Sequence, residues 1–283
     1  MRKIAIYLIV MLVAGSIFYA CDTIEEPYYE DNVTVWNGRK SLILDFTGQR
    51  CGFCPDGHRV IEQLQLTYPD AVVPIAVHCS FLGIAATSDT TQPFHYNFMD
   101  SINLVLGGDG MSSTGYFNIT SQPIGVVNSF SPEDISAPGA WATNTAAFIS
   151  LYPEFSIEIE SDYSDSIIYA DISVLAEIAA VRQMQIAVYI VESHIIEWQE
   201  DYSADESPIE NYEHNHVLRA SMNGAFGEKL NTDVNLSIGD DFEKSYNLKI
   251  KPDWNPENLQ IIAFVYDNDS KEVLQAEEAY VQE

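Results

Sequence analysis

Two closely spaced cysteines, Cys51 and Cys54, constrain the fold of this chain more than any other feature. An apolar run over residues 41–46 precedes them, and apolar residues at helical spacing follow them over residues 60–64. This order indicates a strand, a turn and a helix, with the cysteines at the carboxyl end of the strand, where α/β proteins place their sites. A pair at this spacing can form a disulfide, bind a metal ion or exchange disulfides with other molecules.

The N-terminus predicts export from the cytoplasm. Residues 1–20 combine a basic start with an apolar stretch too short to span a bilayer, which is typical of a signal peptide. Ala20 precedes Cys21 as in the lipobox of bacterial lipoproteins, so we predict that Cys21 becomes the lipidated first residue. A plain signal peptide that leaves Cys21 as an ordinary thiol is the alternative. Since no later segment is long and apolar enough to span a membrane, lipid would provide the attachment.

Acidic residues dominate the composition, with 42 Asp and Glu against 13 Lys and Arg and a formal net charge of −29. This charge excludes nucleic acid as a partner and favours solubility outside the cell. Residues 22–31 contain five acids and no base, and we predict that residues 21–40 form a solvated tether. The sequence predicts no cofactor.

Strand and helix patterns alternate over residues 41–152, and we predict a thioredoxin-like domain there. Residues 80–117 lack a clear strand and contain several glycines, so we interpret them as an insertion into that domain. The predicted strands are 42–46, 71–79 and 122–128, and the predicted helices are 56–68, 94–106 and 140–151.

The spacing of apolar residues changes from helical to alternating after residue 152. Short alternating segments separated by turn residues are typical of an antiparallel sandwich. The predicted strands are 155–160, 167–175, 185–191, 217–221, 245–250, 259–266 and 271–279. We therefore predict an α/β plus all-β fold, in which the thioredoxin-like domain, 41–152, precedes an immunoglobulin-like β-sandwich domain, 153–283.

The thiol pair has both a redox and a structural interpretation. A thiolate at Cys51 is favoured by the nearby helix start and by the positive charges that Arg50 and His58 could supply. Pro55 opposes this, because it places the helix start at or after Cys54 and so weakens the helix dipole at Cys51. The alternative is a disulfide between Cys51 and Cys54 that only stabilises the fold, as is common outside the cell.

Two more residues are expected near the thiol pair. Cys79 ends a predicted strand that would lie parallel to the first one, so its thiol could approach the same edge. With His78 it could complete a zinc site, but the second cysteine pair of such sites is missing and we predict no metal there. Pro123 lies at the start of the predicted strand 122–128, where thioredoxin-like proteins place a cis proline opposite their thiols. An ordinary proline at a strand start is the alternative.

Two further features have a functional and an ordinary interpretation. His214 and His216 share one face of a strand, a spacing that suits zinc or copper, but no third ligand is identifiable and we interpret them as a polar patch. The acidic residues of 197–206 could collect calcium, although they lack the alternation of a calcium-binding loop. We interpret this segment as a solvated loop.

Several motifs together resemble one known family. They are the sequence DFTG at 45–48, the thiol signature at 51–55 with His58, YEHNHVLR at 212–219 and KEVLQA at 271–276. This combination resembles the twenty-eight-kilodalton outer-membrane lipoproteins of anaerobic gut and oral bacteria. The resemblance implies a lipid-anchored protein of the outer membrane with a thioredoxin-like domain, and a role at the cell surface as an adhesin or receptor, as proposed for that family.

The sequence leaves two functions open. One is a binding role at the cell surface towards a protein or glycan partner, with the disulfide Cys51–Cys54 stabilising the fold. The other is thiol–disulfide exchange or isomerisation in the cell envelope, in which Cys51 attacks, Cys54 resolves and Pro123 lies opposite. In the second case Arg50, His58 and Cys79 would be accessory residues.

Overall fold

The computed structural model describes residues 36–282, and most of its regular structure consists of β-strands. The main helices are α1 (Cys54–Thr67), α2 (Ser80–Gly83), α3 (Ser101–Gly107) and α4 (Trp141–Ile149). The strands are β1 (Ser41–Thr47), β2 (Val72–His78), β3 (Ile124–Val127), β4 (Phe155–Ser164), β5 (Ile167–Ala176), β6 (Ala180–Val181), β7 (Met184–Glu192), β8 (Ile195–Gln199), β9 (Ile209–His214), β10 (Val217–Ser221), β11 (Glu228–Lys229), β12 (Asn235–Leu236), β13 (Asp241–Lys249), β14 (Leu259–Asp267) and β15 (Val273–Tyr280).

One mixed sheet forms the centre of the molecule. Its strand order is β15-β14-β7-β10-β2-β1-β3, with β11 pairing beside β7. β1 and β2 are parallel, as the sequence predicts, and β3 runs antiparallel to β1. Both β1 and β2 are buried along their whole length, which explains their nearly continuous apolar sequence.

The structure differs from the prediction of two domains, 41–152 and 153–283. β10 lies beside β2, and the Ala76 N–H donates a hydrogen bond to the His216 carbonyl, so strands from both predicted domains share one sheet. The chain from Trp36 onward forms one compact unit. Apolar spacing predicts which side chains are buried but not which strands become neighbours, and the boundary at 152 therefore falls inside a continuous fold.

A three-stranded antiparallel sheet of β13, β5 and β4 forms a second layer. Alternate residues of β5 are buried, and they pack into one core cluster with residues of β7 and β14. The strict alternation of apolar and polar residues after residue 155 thus reflects a sheet with one buried and one exposed face.

Helices α1 and α4 cover the other end of the main sheet. Ile61 and Leu64 of α1 pack with Ile43 of β1 and with Trp141, which is fully buried. α1 begins at Cys54 with Pro55 in its first turn, as the sequence predicts, because a first-turn residue needs no hydrogen-bond donor.

The last part of the predicted tether is folded. Arg39 and Lys40 are buried and form ion pairs with Glu154 and Glu277, respectively. These pairs compensate for the burial of two charges, so the packed chain starts before residue 41. The predicted signal peptide, Cys21 and the rest of the tether lie outside the described residues. Within residues 36–282, no helix is long and apolar enough to cross a membrane.

Candidate functional site

The predicted pair Cys51 and Cys54 forms a disulfide, with Cα atoms 5.4 Å apart. Cys51 lies in a tight turn directly after β1, and its N–H donates a hydrogen bond to the Gly48 carbonyl. Cys54 is the first residue of α1. Only 4% of Cys51 and 0% of Cys54 are exposed. The disulfide is therefore buried although it lies at the edge of the sheet.

A short segment covers the disulfide turn. It consists of residues 199–203, at the end of β8 and the start of the loop that leads to β9, and we call it the covering segment. The Glu200 N–H donates to the Gln49 carbonyl at 2.8 Å, and the Tyr202 N–H donates to the Gly52 carbonyl at 2.9 Å. Two backbone hydrogen bonds therefore join the covering segment to the turn.

Side chains of the covering segment complete this contact. The amide of Gln199 is buried and donates to the Cys51 carbonyl at 3.1 Å. The Tyr202 ring meets Phe53 edge to face, with centroids 5.2 Å apart. A Cβ added to Gly52 would lie 2.6 Å from atoms of the Tyr202 ring, so only glycine permits the ring to rest on the turn.

An ion pair ties the covering segment to α1. Arg59 Nη1 lies 3.1 Å from Asp201 Oδ2, and Asp201 is only 4% exposed. Burial raises the pKa of Asp201, but hydrogen bonds from Ser203 and Arg59 outweigh it and hold the pKa below its ordinary value. The interpretation of this acidic stretch as a solvated loop is wrong for Gln199 and Asp201, which are buried, whereas Tyr202 is 63% exposed.

Pro123 directly precedes β3 and lies next to α1. The Gln122–Pro123 peptide bond is cis, and Pro123 Cβ lies 3.5 Å from the place that a Cβ on Gly57 would occupy, in the first turns of α1. The Gln122 amide donates to the Thr47 carbonyl at 2.7 Å. The start of β3 is thereby fixed beside the disulfide turn.

Cys79 reaches the predicted edge but not the disulfide. Its N–H donates to the Thr47 carbonyl, so the carboxyl ends of β1 and β2 meet. Its side chain, however, belongs to the core cluster that contains Phe46, on the opposite face of the sheet from α1. Burial raises the pKa of the Cys79 thiol well above its ordinary value. Cys79 is a free cysteine of the core and does not supply a third thiol to the site.

The two predicted positive charges differ from each other. His58 is held between Thr47 Oγ1 at 3.0 Å and the Tyr212 hydroxyl at 2.7 Å, and burial lowers its pKa to about 4. It is neutral at pH 7, so the prediction that His58 adds a charge is wrong. Burial also lowers the pKa of Arg50, whose Nε has no hydrogen-bond partner among the described residues. Arg50 nevertheless stays charged, because guanidinium groups do not deprotonate in proteins.

Sequence reasoning missed Asp45 as a site residue. Its carboxyl group is fully buried in β1, Oδ2 lies 3.5 Å from His58 Nε2, and burial raises its pKa to about 8. An acid with this pKa is protonated at neutral pH and can exchange a proton near that value. The available signal was that Asp45 is the one charged residue in an otherwise uncharged strand, residues 41–47.

This geometry restricts the chemistry of the disulfide. Exchange begins when a thiolate reaches one of the two sulfur atoms along the S–S axis. Both cysteines are buried, and two backbone hydrogen bonds hold the covering segment against the turn that carries them, so an external thiol reaches the sulfur atoms only after the surrounding chain moves. The closed arrangement is that of a structural disulfide.

Comparisons with known proteins identify the family. The family model described as "Outer membrane protein Omp28" matches residues 111–283, more than half of the chain. Among curated proteins, no match was found.

Two solved structures from Porphyromonas gingivalis are similar to the chain. HBP35 is 16% identical, with a TM-score of 0.60 over 86% of this chain and 76% of that chain. A domain of the outer membrane lipoprotein Omp28 is 20% identical, with a TM-score of 0.32 over 46% of this chain and 89% of that chain. The likeness to HBP35 concerns the fold alone, whereas the family match covers the sequence from within the predicted insertion to the C-terminus. The chain belongs to the Omp28 family of outer membrane proteins.

Proposed function

We propose that this protein is a lipid-anchored binding protein of the cell surface, of the adhesin or receptor type, and that its Cys51–Cys54 disulfide is structural. The observation that carries the proposal is the burial of both disulfide cysteines, in a turn to which the covering segment is hydrogen-bonded. An exchange enzyme needs an accessible sulfur atom, whereas a stabilising crosslink is best protected from reductants. Lipid at Cys21 supplies the anchor in this proposal.

The fold supports separate roles for two parts of one compact unit. Parallel β1 and β2 with α1 between them, and antiparallel β3 beside β1, support the proposal of a thioredoxin-like part. The sheet of β13, β5 and β4, which packs with β7 and β14, supports the proposal of a β-sandwich part. We propose that the first part serves as a scaffold and that the partner binds at the surface of the protein.

The partner in this proposal is a protein or a glycan. The net charge of −29 favours a basic surface, or one bridged by cations, because charge complementarity accelerates association. Saturable binding of the mature chain to arrays of glycans and of basic extracellular proteins tests the proposal. We expect Cys51→Ser/Cys54→Ser to retain that binding. Absence of binding, together with an insulin-reducing activity that this variant loses, would contradict it.

A second candidate is thiol–disulfide exchange controlled by the covering segment. The observation that favours it is the use of backbone hydrogen bonds from Glu200 and Tyr202 to the disulfide turn. An extended client polypeptide could form the same bonds once the covering segment has moved, because strand edges pair without regard to sequence.

The substitution Gly52→Ala tests how the disulfide is covered. The added Cβ would lie 2.6 Å from the Tyr202 ring, so we expect the ring to swing away into solvent. Reduction of the native disulfide by dithiothreitol, followed by alkylation and mass spectrometry, should then be about tenfold faster, because local opening becomes less costly.

Gly139→Ala is the matched control, since a Cβ at Gly139 meets no atom of the described residues within 4 Å. Its reduction rate should equal that of the parent. If Gly52→Ala and Gly139→Ala are reduced at the same rate, Tyr202 does not protect the disulfide.

A further inference from the structure

A cavity of about 420 Å³ lies at the edge of the main sheet where β2 ends and β3 begins. Its lining comes from α2 and from residues 110–114 and 118–122, within the predicted insertion and just after it. The Arg50 N–H donates to the carbonyl of Leu82, a lining residue, so the cavity adjoins the disulfide turn. Sites that enclose small molecules have volumes of about 300–1,000 Å³, and α/β proteins place them at this edge.

The lining of this cavity is uncharged, in contrast to the chain as a whole. Of the thirteen described residues that line it, none is an acid, a base or a histidine, although 19% of the chain is charged. The lining therefore lacks the cationic side chains that bind phosphates and carboxylates. It also lacks the carboxylates, imidazoles and thiolates that bind metal ions. A ligand that fits these walls is neutral.

Hydroxyl and amide groups dominate the same lining. Six of the thirteen residues are serine or threonine, and two more are Asn118 and Gln122. The side chains of Asn118, Thr120 and Ser121 are exposed and form no hydrogen bond with other residues of 36–282. An amide offers two donor hydrogens and an acceptor oxygen, and each hydroxyl both donates and accepts. Unused donors and acceptors side by side favour a ligand that is itself rich in hydroxyl groups.

Two exposed apolar side chains complete the lining. Phe81 of α2 and Met111 both line the cavity and are exposed to solvent. A sugar ring carries hydroxyl groups around its edge and C–H groups on its faces. Such a face packs against an aromatic ring because both surfaces then leave water, while the hydroxyl groups stay free for hydrogen bonds. Phe81 beside free amide and hydroxyl groups is therefore the combination that a saccharide needs.

The walls of the cavity are fixed by the fold. Ser80 Oγ donates to Gln122 Oε1 at 3.0 Å, which joins the two sides of the lining. Asn118 lies between Phe117 and Ile119, which are both buried. The φ angles of Ser80 and Asn118 are 58° and 50°, in the left-handed region that residues other than glycine rarely adopt and that is concentrated at functional sites. A preformed site loses less conformational entropy when a ligand binds.

We propose that this cavity binds a neutral saccharide, with the Asn118 amide hydrogen-bonded to sugar hydroxyl groups and the Phe81 ring against a sugar face. The inference rests on the proposed function, because it selects a glycan as the partner and assigns it a place on the surface. Because neither the cavity lining nor the ligand is charged, salt should leave the affinity unchanged. Association with a basic surface, in contrast, is screened by salt.

Binding of soluble neutral disaccharides to the full mature chain tests the site. We expect a panel built from glucose, galactose, mannose and N-acetylglucosamine to contain a ligand, detected by saturation-transfer NMR, whose affinity changes less than about twofold between low and high salt. Asn118→Gly removes the amide and suits the left-handed backbone, and Phe81→Ala removes the ring. Each should weaken binding at least about tenfold.

Leu66→Ala is the matched control for Phe81→Ala. Leu66 is an exposed apolar residue of α1 that does not line the cavity, so its removal should leave the affinity for the disaccharide at the parental value. All three substituted side chains are exposed, and circular dichroism should show the parental fold for each variant.

A measurement on the parent alone covers the case in which a variant does not fold. With isotope-labelled methionine methyl groups, the disaccharide should shift the NMR resonance of Met111, which lines the cavity, and not that of Met184, which is buried in the core of the other layer.

The outcomes separate this inference from the proposed function. Disaccharide binding that leaves Met111 unshifted, or that both Asn118→Gly and Phe81→Ala retain at parental affinity, would overturn the inference. Binding to basic proteins with no binding to any disaccharide of the panel would also overturn it and would leave the proposed function standing. Absence of binding to saccharides and proteins alike would contradict both.

Discussion

Replacing Arg219 with alanine is expected to lower the free energy of unfolding by about 3–5 kcal/mol, the range for breaking a buried ion pair. Arg219 is 2% exposed, and its Nε lies 2.9 Å from Glu192 Oε2. The guanidinium also packs against the rings of Tyr96 and Trp254. Burial raises the pKa of Glu192, so its charged form depends on this partner. The substitution leaves Glu192 buried without a cation.

Arg219 also joins the two predicted domains. It contacts Glu192 of β7 and lies 3.7 Å from Asp100 at the start of α3, in the predicted insertion. Because one sheet crosses residue 152, we expect the variant to unfold in a single transition, with the same midpoint by fluorescence and by circular dichroism. Two separated transitions would show that the segments on either side of 152 unfold independently.

Lys251→Ala is the matched control for Arg219→Ala. Lys251 also pairs with Asp100, but its side chain is 54% exposed. Exposed pairs contribute little, so this substitution should lower the free energy of unfolding by less than about 1 kcal/mol. Equal losses for the two variants would mean that burial of Arg219 is not the source of its effect.

The double substitution Cys51→Ser/Cys54→Ser should lower the free energy of unfolding by about 2–4 kcal/mol. The disulfide closes a short loop, so the entropic effect on the unfolded chain is at the lower end of this range. Two buried sulfur atoms are also replaced by hydroxyl groups that need hydrogen-bond partners. Urea unfolding monitored by circular dichroism measures the difference.

The parent unfolded in the presence of reductant is the control for this variant. The reduced parent has no crosslink in its unfolded state, but its folded state keeps both sulfur atoms in their native packing. Its free energy of unfolding should therefore lie between those of the oxidised parent and the serine variant. A serine variant as stable as the oxidised parent would contradict a structural role for the disulfide.

Local order was predictable from the sequence wherever neighbouring residues determine it. The strand before Cys51, the helix after it and the parallel strand 72–78 follow from apolar spacing, and Pro55 marks the helix start. The strand 217–221 is confirmed residue by residue. These segments are bounded by turns and buried on defined faces, so each carries its own signal.

Long-range pairing was not predictable in the same way. The position of β10 beside β2 depends on backbone hydrogen bonds that any sequence can form. In the covering segment, the buried Asp201 forms an ion pair with Arg59, which lies far away in the sequence. The spacing of His214 and His216 suggests a pair on one strand, whereas β9 ends at His214 and the His214 ring lies 5.5 Å from the ring of His78 on β2.

The most direct test of a structural, covered disulfide is its rate of reduction in the native protein. Parent protein is treated with dithiothreitol, samples are alkylated, and modification of Cys51 and Cys54 is followed by mass spectrometry with and without urea. We predict reduction in native buffer at least about tenfold slower than in urea, because the covering segment must first open. Equal rates in the two conditions would contradict the account.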